Sequence, residues 1–243
     1  MFCPKCGTQL PDGSVACSSC GTTFGGTAPR TMVAGGAGDR MKAASSDAFA
    51  AFKTFATNPV GGLSEAYDGL GAGRALAVGI TFGVVFALCI VLTVYRILPG
   101  FFPGIGGFLK ILVIAVVPFV ALFASAAGVR TVFRGEGALG SDSFMAGAAL
   151  LPFGVVALVM SLLGSSMNSN VSSFLGIFAI TLTILMLFAG ITRINKITER
   201  MATLGIPLML IVTAWLSKLI YSEMIKASFG GGGFQGMPPG MGQ

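Results

Sequence analysis

Five apolar runs, at 75–94, 109–129, 144–163, 172–191 and 204–221, dominate this chain of 243 residues. A bilayer's hydrocarbon core is roughly 30 Å thick, which an α-helix crosses in about 20 residues, and each run has about that length. In hydrocarbon every backbone N–H and C=O must find its partner within the protein, so only helices and closed barrels cross. The runs are continuously apolar and lack the alternation and ~10-residue spacing of membrane strands, which selects helices. Composition agrees, because 10% of the residues are charged against about a quarter in a soluble domain. A water-soluble enzyme is thereby excluded. The first run begins only after residue 74, too late for a cleavable secretory signal, so all five spans are expected to remain in the mature protein.

Basic residues orient such a bundle. Eleven Lys and Arg fall in the segment before the first run and in the loops around Arg130, Arg134, Arg193, Lys196 and Arg200; four, at Arg96, Lys110, Lys218 and Lys226, fall on the other face. The amino terminus is therefore expected in the cytoplasm, and five crossings place the carboxyl terminus outside. None of the five runs contains Asp or Glu, and the chain has no His. Carboxylates for proton-coupled transport, serine–histidine sites and HExxH sites are accordingly not expected, and no catalytic residue is assigned. Lys218 is charged well inside a run and is expected to snorkel outwards, where Trp215, Tyr221 and Tyr95 would form an aromatic belt. Pro118, Pro152 and Pro207 each remove an N–H from a span, which kinks the helix or exposes a carbonyl to a neighbour; ordinary membrane-helix proline is the simpler reading. Gly79 with Gly83, and Ala124 with Gly128, are small-xxx-small pairs expected to pack within the bundle.

Residues 1–24 carry the most specific motif, Cys3-Pro4-Lys5-Cys6-Gly7 and Cys17-Ser18-Ser19-Cys20-Gly21. Two residues between cysteines let both thiolates face one ion, and two such knuckles complete a tetrahedron. So short a piece buries too little surface to fold unaided, so one structural zinc ion on Cys3, Cys6, Cys17 and Cys20 would supply its folding energy. All four ligands are sulfur, which leaves no open position for a catalytic water. A redox CxxC or a pair of disulfides is the rival reading and needs an oxidising compartment. Cys89, alone in the first run, reads as a small hydrophobe. The fold expected is thus an all-α membrane bundle of five transmembrane helices, residues 75–222, preceded by a small amino-terminal zinc ribbon.

The stretch MFCPKCGTQLPDGSVACSSCGTTF resembles the zinc-ribbon module that opens many bacterial and archaeal membrane proteins. The remainder, about 45–226, more loosely resembles the Yip (Ypt-interacting-protein) family of five-helix membrane proteins. That likeness rests on Asn58-Pro59-Val60-Gly61-Gly62-Leu63 and on the stretch from Ser143 to Pro152, SFMAGAALLP. It implies a membrane-organising or partner-recruiting protein with no catalytic residues to carry over.

Between ribbon and bundle, residues 25–44 read as a flexible Gly-rich tether. Residues 45–58 read as a helix, capped by Ser45 or Ser46 and ended by Asn58-Pro59. Its Phe49, Phe52 and Phe55 suit either the membrane interface or the cytoplasmic ends of the bundle. Arg193, Lys196 and Arg200 would share a face if the fourth helix continued past the membrane, open to anionic lipid or an acidic partner, although the topology rule alone accounts for them. Residues 230–243 read as a disordered tail.

Together these features suggest a non-enzymatic, multi-pass protein of the cytoplasmic (inner or plasma) membrane. Its ribbon would be a cytoplasmic module for a protein partner, and its bundle a Yip-like anchor. The alternative is a transporter, channel or lipid-moving subunit. Besides the lipid bilayer, a second copy of the chain is a partner the composition permits. Nucleic acid is not expected, because Lys5 is the sole basic residue in 1–24. Orientation is checked by labelling single cysteines introduced at Ser166 and Gly230 in intact cells. Both should react with an impermeant thiol reagent, and protection of both would reverse the topology.

Overall fold

A computed structural model describes residues 37–97, 104–164 and 169–229. The cysteine-rich segment 1–24 and the tail 230–243 lie outside the described residues. The chain divides into two units, residues 1–42 and 43–243, and the packing described here is that of the second.

The helices are α1 (Ala37–Thr57), α2 (Gly61–Leu70), α3 (Ala72–Ile97), α4 (Gly104–Val132), α5 (Leu139–Leu163), α6 (Ser169–Ala189) and α7 (Glu199–Phe229), with a π-turn over Gly190–Ile194 between the last two. Among the described residues there is no strand. Five segments, Ala72–Ile97, Gly104–Val132, Leu139–Leu163, Asn170–Ile194 and Glu199–Glu223, are long and apolar enough to cross a membrane, as expected of a multi-pass membrane protein. Outward-facing Ile80, Val84, Leu88, Phe174, Ile177 and Ile211 are exposed, a surface suited to lipid rather than water.

Two features depart from the expected order. α1 begins at Ala37, so the tether expected over 25–44 is helical in its last eight residues, and Ser45 and Ser46 lie inside the helix rather than at its cap. The Ala-rich stretch has no proline to stop the helix earlier. α2 is a helix that the sequence does not announce, because Gly61 and Gly62 are poor helix formers. It exists through tertiary contact: Leu63 and Ala66 are buried, and a Cβ on Gly62 would collide with the backbone of Thr54 and Phe55. Asn58 joins the two helices, since its Oδ1 accepts the N–H of Gly61 at 3.0 Å. Gly71, at φ 70°, ends α2 in the left-handed region that glycine enters at no steric cost.

α1 packs by the 48–51–55 face. Ala48, Ala51 and Phe55 are buried, and Phe55 meets Phe82 edge-on at 5.5 Å, whereas Phe49 and Phe52 remain exposed. The phenylalanines thus divide between the two faces.

The tightest helix pair is α3 with α5. A Cβ on Gly140 would lie 2.8 Å from the Ala72 carbonyl, one on Gly147 would strike the Gly79 carbonyl, and one on Gly154 would lie 2.8 Å from the Phe86 ring. The contacts advance together by seven residues on each helix, so α3 and α5 run parallel with their backbones in contact. The Gly79–Gly83 pair serves this packing, with Gly79 against α5 and Gly83 against Phe119 of α4. The Ala124–Gly128 pair does not. Both residues are exposed and nothing lies within 4 Å of a Cβ on Gly128, because α4 turns its 125–129 side inwards through Ser125, Ala126 and Val129.

α4 is tied to α7 by polar bonds within the two candidate spans. Ser125 and Thr213 hydroxyls lie 2.7 Å apart. The Tyr221 hydroxyl donates to the Ile114 carbonyl at 3.0 Å, which is the carbonyl whose helical donor Pro118 lacks. The proline therefore exposes an acceptor that a neighbouring helix fills, and Tyr221 serves as an interhelical donor rather than only a belt residue. A Gly147→Ala change should force α3 and α5 apart and lower stability by about 1–3 kcal/mol, whereas Gly128→Ala should not destabilise. Thermal unfolding of the two variants in detergent checks the contrast.

Candidate functional site

The basic ends of the spans hold a buried polar cluster that starts from the π-turn. An α-helix repeats every 3.6 residues, and an i→i−5 bond admits one more residue to a turn. Here the Asn195 N–H donates to the Gly190 carbonyl at 3.1 Å, the i→i−5 bond, and the Ile197 N–H reaches back six residues to the Ile191 carbonyl at 3.1 Å. The wider turn buries Ile191, Ile194 and Asn195 while Arg193 and Lys196 face outwards. A Cβ on Gly190 would lie 2.5 Å from the Met145 side chain, so α6 reaches α5 closely at that point.

Asn195 then closes on Asp142. Its Nδ2 donates to Asp142 Oδ1 at 3.0 Å, and its Oδ1 lies 2.8 Å from Ser141 Oγ. Arg130 Nε donates to Asp142 Oδ2 at 2.8 Å. Ser141 Oγ also accepts the Ala138 N–H at 2.9 Å, which caps α5. The Asn195 carbonyl accepts the Glu136 N–H at 3.0 Å, and the Gly135 N–H donates to the Arg130 carbonyl at 2.8 Å. Gly137 leaves the space that the Asn195 amide and Ser141 hydroxyl occupy. The loop from α4 to α5 and the turn from α6 to α7 are thus joined through one carboxylate.

The Asp142 side chain is fully buried and that of Arg130 is 16% exposed. A buried ion pair is tolerated only where its remaining hydrogen-bonding capacity is met, and among the described residues no buried side-chain N or O lacks a partner. Arg134 at φ 54° and Lys196 at φ 51° hold left-handed conformations, one in each joined segment, at a cost of about 1–2 kcal/mol each. Outside the cluster, Lys196 Nζ reaches Glu136 Oε2 at 2.7 Å, with both side chains largely exposed. Glu136 holds the Lys196 ammonium above its ordinary range, first by the hydrogen bond and then by charge.

Sequence reasoning missed this cluster for a definable reason. The third apolar run starts at Phe144, which leaves Asp142 outside it, but α5 starts at Leu139 and carries the carboxylate within the span. The expectation of spans free of acidic residues is therefore corrected at this helix end. Arg130, read only as a topology charge, is the partner of Asp142. Arg193, Lys196 and Arg200 do not share a helical face, because the π-turn and the left-handed Lys196 break the helix between them. The usable signal was Arg130 and Asp142 flanking a short Gly-rich loop at the ends of two apolar helices.

Cys3, Cys6, Cys17 and Cys20 lie outside the described residues. Among the described residues no group of three or more acidic or cysteine side chains gathers to hold a metal. Cys89 is buried in α3. The zinc-ribbon domain family matches residues 2–24, so a zinc-ribbon domain opens the chain, and that family implies zinc binding. The four thiols in two CxxC pairs are the donor set such an ion takes. Nothing among curated proteins or solved structures matches the chain.

Asp142→Asn would leave Arg130 without its countercharge and should lower stability by about 3 kcal/mol, the lower end for breaking a buried pair because Arg130 keeps some exposure. Arg130→Met/Asp142→Leu should recover much of that loss in a double-mutant cycle measured by thermal unfolding. Lys196→Met should have a small effect that salt suppresses. The Lys196 pKa is raised in the fold, so the stability it contributes is present below the ordinary lysine value of 10.5 and is lost as pH rises through the raised one.

Proposed function

We propose that this protein is a non-enzymatic membrane anchor whose amino-terminal ribbon is a cytoplasmic docking module held together by one structural zinc ion on Cys3, Cys6, Cys17 and Cys20. The match of residues 2–24 to the zinc-ribbon domain carries this reading. Sulfur-only coordination supplies folding energy and leaves no site for a reactive water, which suits a recognition surface rather than a catalytic one. The bundle supports an anchoring role because its buried polar groups are committed to one another: Asp142 is neutralised by Arg130 and hydrogen-bonded by Asn195. The six basic residues Arg74, Arg130, Arg134, Arg193, Lys196 and Arg200 lie near one set of span ends, the pattern of a cytoplasmic face.

The Yip-like resemblance belongs to the same reading. Its first stretch, 58–63, forms the α1–α2 junction, and its second, 143–152, forms the part of α5 that lies on α3. Both do packing work, which suits a family defined by its bundle rather than by a reactive site.

Metal analysis of the purified full chain should give about one zinc ion per chain, and the Cys3→Ser/Cys6→Ser variant should give none. Proximity labelling from the amino terminus in cells should then yield different neighbours for the two proteins. A metal-free but folded ribbon would overturn the zinc assignment, and identical neighbours would overturn the docking role.

A further inference from the structure

A cleft of about 460 Å³ opens where the fourth candidate span ends and the fifth begins. Val60 and Phe188 supply apolar wall, and Thr192, Arg193, Lys196 and Glu199 supply polar wall. The charges are unequal in their commitments. Lys196 is held by Glu136 at 2.7 Å, whereas Arg193 and Glu199, both exposed, form no ion pair among the described residues. The cleft therefore presents one uncommitted cation and one uncommitted carboxylate beside apolar side chains. It does so at the junction of two span ends, the level at which phospholipid headgroups lie.

We propose that this cleft binds the headgroup of an aminophospholipid of the phosphatidylethanolamine type, with the phosphate on Arg193, the ammonium on Glu199, and the first acyl carbons over Val60 and Phe188. Each group of the ligand meets its complement. A guanidinium matches a phosphate through two parallel N–H donors, and a primary ammonium donates hydrogen bonds to a carboxylate. The charge balance argues against an anionic lipid, because Glu199 and the neighbouring Glu136 offset Arg193 and Lys196. A choline headgroup fits less well. Its quaternary nitrogen has no N–H to donate and is best held by a cage of aromatic rings, of which the cleft wall offers Phe188 alone. The π-turn makes the site, because it turns Arg193 outwards while Ile191 and Ile194 stay buried, and such turns recur where a helix serves a ligand.

The test is native mass spectrometry of the purified full-length protein in detergent. Four probes are titrated separately: dioleoyl-phosphatidylethanolamine, dioleoyl-phosphatidylcholine, dioleoyl-phosphatidylglycerol and tail-free O-phosphoethanolamine. Phosphatidylethanolamine should be retained about tenfold better than phosphatidylcholine and better than phosphatidylglycerol, with O-phosphoethanolamine bound weakly. Arg193→Met should weaken retention of phosphatidylethanolamine and phosphatidylcholine alike, because both carry the phosphate, Arg193→Lys should keep part of that retention, and Glu199→Gln should bring phosphatidylcholine and phosphatidylethanolamine level. Should Arg193→Met fail to fold by thermal unfolding, Arg193→Gln takes its place. Equal retention of the two zwitterionic lipids by the unmodified protein would overturn the proposal, as would stronger retention of phosphatidylglycerol. So would binding of O-phosphoethanolamine at the same concentrations as the lipid, retention that Arg193→Met leaves unchanged, or a preference that survives Glu199→Gln.

Discussion

Backbone contact between α3 and α5 is the constraint from which the rest of the bundle follows. Glycines at 140, 147 and 154 meet Ala72, Gly79 and Phe86 in a seven-residue register, and without side chains between them the helices approach closely enough for dispersion to replace the hydrophobic drive that lipid removes. Two spans in the same direction can touch only if the span between them, α4, steps aside as it returns. α4 therefore flanks the pair, with the Phe119 ring against Gly83 and Arg130 on Asp142, and bonds α7 through Ile114 and Ser125. The same register fixes the height of the α5 amino end. Gly140 abuts Ala72, and Asp142 follows two residues later at the level Arg130 reaches from the end of α4.

The ionic cluster converts that register into a closed end. Asp142 has two oxygens and two donors, from different segments: Arg130 from α4 and Asn195 from the π-turn. Neither loop could be shortened or shifted by a residue without leaving a buried charge unmet, a loss of several kcal/mol. That explains why the left-handed conformations of Arg134 and Lys196 persist. Their strain, about 1–2 kcal/mol each, is smaller than the penalty of opening the cluster. It also explains Gly137, whose missing side chain is the volume taken by the Asn195 amide.

The five spans were legible because about 20 apolar residues in a row have one physical solution in hydrocarbon. The Gly79–Gly83 packing face was legible for the same local reason. The Ala124–Gly128 pair misled because small residues permit close approach without choosing a partner, and the inward side of α4 is set by Ser125, Ala126 and Val129 instead. α2 was illegible because its glycines are poor helix formers, and tertiary contacts hold it, among them the Thr54 backbone against Gly62 and the burial of Leu63 and Ala66. The cluster was half legible. Arg130 and Asp142 were visible as charges, but the run boundary at Phe144 hid that α5 begins a turn earlier. The role of Asn195 depends on a π-turn that no local pattern announces.

Cohesion is unevenly distributed along the membrane normal. Toward the basic ends one buried cluster takes residues from every helix from α1 to α7, among them Phe55, Leu63, Phe82, Phe144, Ile191 and Ile206. Toward the other end the buried apolar contact shrinks to Ala87, Val91, Ile111 and Ala115 between α3 and α4. There the α4–α7 pair leans on a single hydroxyl, Tyr221 to Ile114. Interhelical bonds of that kind are worth on the order of 1 kcal/mol in a membrane, far less than the tight end gains from packing. The bundle is thus densely packed toward its basic ends and sparsely packed toward the other. The cleft lies at that denser end, and the residues that shape it from Phe188 to Glu199 run through the π-turn whose capping residue, Asn195, is bonded to Asp142.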